Sequence, residues 1–255
     1  MINSYQSLEA NLHDVFWATE GPPAELPLMR SFLREHPGKS LEVGSGSGRL
    51  LLPLHREGFE VEGLESSAEM IDLCQTNSSG KSDVPLHLGS MDDWKSSSRY
   101  ASLMIPAFTL QLSRDPAAAL VRFADWLQDG GTLYMSTFTP LAEMLGELPA
   151  GEWYPDHQTE LADGTLAVIH TRHQIDATEQ ILDREHRYEI FDKDGAILAT
   201  HESRQQLRWF RREQWKQHLK AAGFRIEKQF ADFKPQRKSL KEAIVVTTIA
   251  RKIVG

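Results

Sequence analysis

The chain has 255 residues, of which 40% are hydrophobic and 25% charged, and its 28 Lys and Arg against 36 Asp and Glu give a net charge of −8. A chain of this length can hide roughly 70–75% of its unfolded surface, which suits one globular domain spanning 1–255 with elaborations. The acidic balance argues against nucleic-acid binding, which draws its affinity from Lys and Arg on phosphates. No run of about 18 apolar residues is present, so no membrane partner is expected. The start lacks a basic end followed by an apolar stretch, and the single cysteine, Cys74, allows no internal disulfide. Both features lead to an expected cytoplasmic location. The ten histidines show no metal-ligand spacing, so no metal is expected. His170 and His173 are three apart in a strand-like run, on opposite faces.

In chain order, residues 2–18 and 24–36 read as two helices split by Gly21-Pro22-Pro23. Leu26, Met29, Phe32 and Leu33 share one face of the second. Residues 1–37 thus form an N-terminal helical cap, with Tyr5 and Trp17 as aromatic anchors. Strands follow near 39–44, 59–65, 85–90, 101–107 and 131–138, separated by helical stretches. The clearest helix has Asp115 as N-cap, Pro116 at its first position, and Ala119, Leu120, Phe123, Trp126 and Leu127 on its apolar face. Gly130-Gly131 is expected to stop it. Such alternation predicts an α/β fold, a doubly wound and mostly parallel sheet with helices on both faces. Ligands of these sheets bind beyond the carboxyl ends of the strands.

Residues 150–209 interrupt this rhythm. Segments 165–175, 180–191 and 196–208 are strand-like, with turns at Asp163-Gly164 and Asp192-Lys193-Asp194-Gly195. They predict an inserted antiparallel sheet. A sixty-residue detour is too long for a plain connection of about 2–6 residues. It is expected to shape a small-molecule pocket, with Trp153, Tyr154 and His157 near its start, or to build a homodimer contact. Arg204, Arg208, Arg211 and Arg212 read as solvated arginines on a strand and a helix start. Trp215, Leu219 and Ala222 mark a helix that stops at Gly223, and strands near 224–232 and 243–251 finish the chain.

The chemistry concentrates in residues 41–65. Leu41-Glu42-Val43 runs into Gly44-Ser45-Gly46-Ser47-Gly48-Arg49, a helix follows, and Phe59-Glu60-Val61-Glu62-Gly63-Leu64-Glu65 ends in a carboxylate. Glycines let a ligand approach the backbone, and the following helix aims free N–H groups at it. Glu65, 21 residues after Gly44, is placed to accept from a ribose diol. A dinucleotide fingerprint needs glycine where Arg49 stands, and the phosphate-loop signature is absent. Glu42 would repel a pyrophosphate but can hold an ammonium. The pattern fits S-adenosylmethionine better than NAD or ATP.

These residues resemble the class I S-adenosylmethionine-dependent methyltransferases, and most nearly their small-molecule, aminosugar N-methyltransferase branch. The resemblance is strong over residues 38–139 and weaker over 205–252. Glu42 to Arg49 match the first motif of that family, Gly63-Leu64-Glu65-Ser66-Ser67-Ala68-Glu69-Met70 the second, and Gly89-Ser90-Met91-Asp92-Asp93-Trp94 the third. Ser90 stands where the family usually has Asp, and Ala101 and Ser102 where it often has Asp. The resemblance implies a seven-stranded, Rossmann-like sheet in the order 3-2-1-4-5-7-6. It implies a cofactor site of Glu42, Gly44, Ser45, Gly46, Arg49, Glu65, Ser66, Met70, Ser90, Met91 and Ile105. Phe108 and Gln111, just past the fourth strand, are candidates for the substrate side. Met70 and Phe108 can equally be packing residues. No catalytic residue is assigned, because no base motif is visible; His157, His170 and Tyr154 are candidates by location only. Three readings stay open: transfer to N or O of a small molecule, transfer to protein or RNA, and a non-catalytic module that binds S-adenosylmethionine.

Overall fold

Strand and helix alternate from residue 40 to residue 138, except that no helix separates the strands at 86–88 and 100–105, in the computed structural model, which describes residues 5–78, 84–237 and 239–254. Residues 2–4 of the first expected helix lie outside the described residues. By contact density the chain falls into two compact units, one of residues 23–139 with 208–255, the other of the segment up to Pro22 with 140–207.

The larger unit contains α2 (Leu26–Glu35), β1 (Ser40–Val43), α3 (Leu51–Arg56), β2 (Val61–Glu65), α4 (Ala68–Ser78), β3 (Leu86–Leu88), β4 (Tyr100–Ile105), a 3-10 turn (Thr109–Leu112), α5 (Pro116–Trp126) and β5 (Leu127–Phe138). It ends with α7 (Arg212–Ala221), β10 (Phe224–Ala231) and β11 (Val245–Lys252). The smaller unit holds α1 (Leu8–Thr19), α6 (Leu141–Leu145), β6 (Tyr154–Glu160), β7 (Leu166–Asp176), β8 (Ile181–Phe191) and β9 (Ile197–Arg208). Among the described residues the first helix begins at Leu8, because Tyr5 and Ser7 both have positive φ, which no helix continues.

Seven strands form one sheet in the order β10-β11-β5-β4-β1-β2-β3. Neighbours from β3 to β5 run parallel, and β11 is antiparallel to both β5 and β10. This is the expected Rossmann-like order. All four residues of β1 are buried, as a central parallel strand covered on both faces requires. Leu103, Phe123, Trp126, Leu219 and Phe224 build the core on one face. Met29, Phe32, Leu51, Leu54 and Tyr134 build it on the other.

Two details differ from the sequence expectation. The helix from Pro116 is capped as expected, with Asp115 accepting from the Ala118 amide at 3.0 Å, but it does not end at glycine. Leu127 is already extended and begins β5. Gly130, with φ +72°, absorbs a break in register between β4 and β5, so it makes a bulge where a cap was expected. Gly223, with φ +83°, does follow α7 as a left-handed stop. Second, the antiparallel sheet has four strands, β6-β7-β8-β9, one more than the alternation shows. Pro155 and a register shift before His157 hide β6 from a period-two reading.

Gly63 lies where β2 passes under the glycine loop. A Cβ there would sit 2.6 Å from Ser45 Oγ and 2.8 Å from both Leu51 Cδ2 and Leu86 Cδ2. Gly63→Ala should therefore destabilise the protein by about 1–3 kcal/mol through overpacking, read as a lower urea midpoint. An unchanged midpoint would show that the loop has room to move.

Candidate functional site

The carboxyl ends of β1, β2, β3 and β4 lie side by side, and the sequence-expected residues fall on or just past them. Gly44 follows β1, Glu65 ends β2, Ser90 lies two residues past β3, and Ile105 ends β4. Gly44, Gly46 and Gly48 all have positive φ, 73°, 54° and 81°. Gly44 also needs its missing side chain: a Cβ there would meet Thr109 Cγ2 at 2.4 Å.

Glu42 lies on β1, two residues before Gly44. It is 1% exposed, and its Oε2 has no hydrogen-bond partner. Burial pushes its carboxyl well above the usual range; Glu25 and Glu65 push the same way, and Arg49 pulls back. Ser45 Oγ, in the loop itself, is likewise buried without a partner. Orphaned buried polar atoms are rare and costly, so two of them beside a glycine cradle suit a polar ligand. Glu65 has a different condition. Its Oε2 accepts from the Gly46 amide at 3.0 Å, and its Oε1 from the amides of Ser66 and Ser67 at 2.7 and 2.8 Å. The carboxylate pins β2 to the glycine loop and keeps acceptor capacity on Oε2.

Other expected residues are placed as follows. Met70 is 1% exposed, and its Cε lies under Gly46, 3.5 Å from where a Cβ would stand. Ser90 Oγ accepts from the Asp92 amide at 3.2 Å and Met91 packs on the core, its carbonyl accepting from Arg122. Ile105 is fully buried. Gln111 is buried and spends its amide on the Phe138 backbone, donating to the carbonyl at 3.1 Å and accepting from the amide at 2.8 Å. Ser102, where the family often has Asp, lies at the start of β4 and shares a 2.8 Å bond with Ser40, away from the carboxyl edge.

One residue near this edge, Glu25, carries no sequence signal. Glu25, just before α2, is 6% exposed and reaches into the sheet, accepting from the Ala107 amide at 2.7 Å and the Tyr134 hydroxyl at 3.1 Å. Burial raises its carboxyl, while these bonds and Arg49 pull it down. Ala107 and Phe108 are both left-handed, at φ 51° and 63°, a conformation that costs an L residue roughly 1–2 kcal/mol each. Asp92 gathers Ser113, Arg114 and Arg122. Burial opposes its charge, but the bonds from Ser113 and Arg114 outweigh it and hold the carboxyl low.

The smaller unit has a cavity of about 410 Å³ between α1 and one face of its sheet, lined among others by Glu9, Phe16, Asp156, His157, His186 and Tyr188. Thr171 donates to Asp156 at 2.6 Å and bonds His186 Nδ1 at 2.9 Å. Burial pushes His186 down to about 4, so the ring is neutral near pH 7. His157 bonds Thr19 Oγ1 at 2.7 Å and meets Phe16 edge-on. Tyr154 contacts His173 at 3.3 Å. Trp153 does not join the cavity lining: the guanidiniums of Arg172 and Arg187 stack over it at 4.8 and 4.2 Å. Those two arginines share the strand face opposite to Thr171 and His186.

Glu42 makes stability depend on pH. Its folded carboxyl keeps a proton to higher pH than in the unfolded chain, so stability falls as pH rises above the ordinary carboxylate range. Glu42→Gln removes that penalty. The thermal midpoint of wild type should therefore drop relative to Glu42→Gln as pH is raised from about 5 toward neutrality. Parallel midpoints across that window would mean the carboxyl is not strained.

Comparison with known proteins agrees with this geometry. Residues 22–229 match a methyltransferase-domain family. The chain is 28% identical over 239 residues, 88% of its length and 86% of the relative's, to a dTDP-3-amino-3,6-dideoxy-alpha-D-glucopyranose N,N-dimethyltransferase of Streptomyces fradiae. Among solved structures it resembles an S-adenosylmethionine-dependent methyltransferase from Clostridium acetobutylicum, with TM-score 0.79, 11% identity, and coverage of 96% of this chain and 98% of that one. It also resembles S-adenosylmethionine-bound CalS10, an amino pentose methyltransferase from Micromonospora echinaspora, with TM-score 0.69, 19% identity and 99% coverage of both. The chain belongs to the methyltransferase-domain family.

Proposed function

We propose that this methyltransferase carries the methyl group of S-adenosylmethionine to an amino nitrogen of a small hydroxylated acceptor of the aminosugar kind. The observation that carries the reading is the buried, unpartnered Glu42 oxygen at the head of a loop in which Gly44 and Gly48 leave no room for a Cβ. An ammonium fits that carboxylate; a pyrophosphate does not. The residues present therefore fit the cofactor: Glu42 for its ammonium, Glu65 for its ribose hydroxyls, the loop backbone for its amino-acid end, and Ser90 for its adenine. When bound, S-adenosylmethionine supplies an electrophilic methyl group on a sulfonium.

What the chain contributes is position, which can be worth roughly 7–11 kcal/mol in well-oriented systems. An amine that arrives neutral needs no strong base, consistent with a carboxyl edge that carries no base motif. The acceptor side of the reading rests on the amine-modifying relatives and on the cavity of the smaller unit. That cavity combines aromatic walls with a few convergent polar groups, as small-molecule sites do. Its carboxylates, Glu9, Glu20 and Asp156, outnumber its one arginine, Arg184, which pairs with Glu143. Such a lining favours a cationic or neutral guest. The net charge of −8 sets nucleic acid aside as the acceptor in this reading. Action in the cytoplasm is part of the proposal, on the lack of any internal disulfide in a chain with one cysteine.

The test is turnover. With a methyl glycoside of 3-amino-3-deoxyglucose the enzyme should form S-adenosylhomocysteine and a product heavier by one or two methyl groups; with methyl glucoside it should not. Transfer to neither, with S-adenosylhomocysteine still bound, would leave only a sensing module. Two variant sets follow. Glu65→Ala should weaken S-adenosylhomocysteine by about 1.5–3 kcal/mol, the range for bonds to a charged group, and Gly44→Val should abolish its binding; calorimetry on folded variants decides. In the smaller unit, His157→Ala should raise the acceptor KM while Trp153→Ala leaves it near wild type. The reverse pattern in steady-state kinetics would move the acceptor to the other face of that sheet.

A further inference from the structure

Glu25 is spent in an unusual way. It stands at the N-cap of α2, where an acid ordinarily caps its own helix, yet its side chain makes no cap bond. The carboxylate is buried instead, with its two oxygens on two different parts of the sheet. One takes the Ala107 amide and the other the Tyr134 hydroxyl. Ala107 and Phe108 are consecutive left-handed residues, neither of them glycine. Backbone strain of this kind persists only when surroundings hold it, and it gathers at functional sites.

The held turn sits where the site needs it. It directly follows β4 at the carboxyl edge. Thr109, two residues past Ala107, is the side chain that fills the space above Gly44. The Phe108 amide donates to Ser136 Oγ at 3.4 Å, and the Phe108 ring meets Phe138 at 4.9 Å and stacks on Phe233 at 6.3 Å. Phe233 itself belongs to a second left-handed pair, with Asp232. One carboxylate thus sets the turn that aims Phe108 and, through Thr109, presses on the glycine loop.

We propose that Glu25 is a positioning residue for methyl transfer: by gripping the Ala107 amide it locks the left-handed Ala107–Phe108 turn and so fixes Phe108 as a wall of the acceptor side. This rests on the methyl-transfer reading above. Glu25 itself touches neither substrate nor cofactor; it acts through the turn. Ala107 is exposed, so its methyl group matters to packing little and to backbone preference much.

A glycine therefore supplies the critical control. Glycine adopts left-handed angles without cost, so a turn with Gly at 107 forms without the tether. Glu25→Ala should lower kcat about 10–100-fold, the scale of misplacement by an ångström, with S-adenosylhomocysteine still bound. Glu25→Gln keeps an acceptor for the amide and should stay close to wild type. Ala107→Gly alone should be near wild type, and Glu25→Ala/Ala107→Gly should recover most of the lost kcat. A carboxylate that only stabilises the fold would not be rescued by glycine, so a double variant as slow as Glu25→Ala overturns the proposal. Unchanged kcat in folded Glu25→Ala overturns it too. If Glu25→Ala does not fold, Glu25→Asp, which keeps the charge but loses the reach, takes its place. Hydrogen exchange at the Ala107 amide reads the tether without turnover: protection in wild type should be lost in Glu25→Ala. If wild type methylates no amine, the methyl-transfer reading fails while the exchange result still judges the tether.

Discussion

A carboxyl group buried without a partner dominates this molecule. Glu42 lies on the central strand of a parallel sheet, covered on both faces, one residue short of a loop whose Gly44 and Gly48 leave no room for a Cβ. Removing a charge from water is costly unless something replaces the water. The fold offers Glu42 only Arg49 at a distance, together with two further acids, Glu25 and Glu65. Three carboxylates facing one guanidinium leave the edge short of positive charge. In the proposed reading the ammonium of the cofactor would supply it, and the rest of the larger unit holds the glycine loop and its neighbouring turns in shape.

The holding is done by acids used as backbone clamps. Glu65 ties the end of β2 to Gly46 and to the start of α4 through the amides of Ser66 and Ser67. Asp92 ties the loop after β3 to Ser113 and Arg114, just before α5, and to Arg122 within it. Glu25 ties the start of α2 to the turn after β4. Each clamp joins a loop at the carboxyl edge to a segment distant in sequence, so the edge stays ordered although it is built from connections. Bonds from backbone amides to an ionised carboxylate are worth more than neutral ones, which suits them to offset strained turns such as Ala107–Phe108.

Much of this was legible in the chain because the relevant signals are local. Glycines at 44, 46 and 48 after an apolar strand, and a carboxylate ending the next one, announce a nucleoside-type site within 25 residues. Alternation of apolar strand and amphipathic helix gave the parallel sheet, and period-two runs gave three strands of the inserted sheet. The misreadings have physical causes. Gly130 looks like a helix stop because it follows the helix closely, but Leu127 has already turned extended to pair with Tyr100. Gln111, just past the fourth strand, donates to and accepts from the Phe138 backbone, a pairing that no local pattern announces. Glu25 was invisible because its partner is 82 residues away, and an acid before a helix has an ordinary explanation in capping. Trp153 precedes β6 and is covered by Arg172 and Arg187, whose strand face, opposite His186, is known only once the register is.

The central claim is that Glu42 waits for a cation. Calorimetric titration of S-adenosylhomocysteine into the protein, repeated near neutral pH in buffers of different ionisation enthalpy, tests it most directly. Binding should release up to about one proton per site as Glu42 ionises against the ligand ammonium, and Glu42→Gln should release none. NAD should not bind. Binding of S-adenosylhomocysteine with equal heats in every buffer, or binding of NAD in its place, would contradict the account.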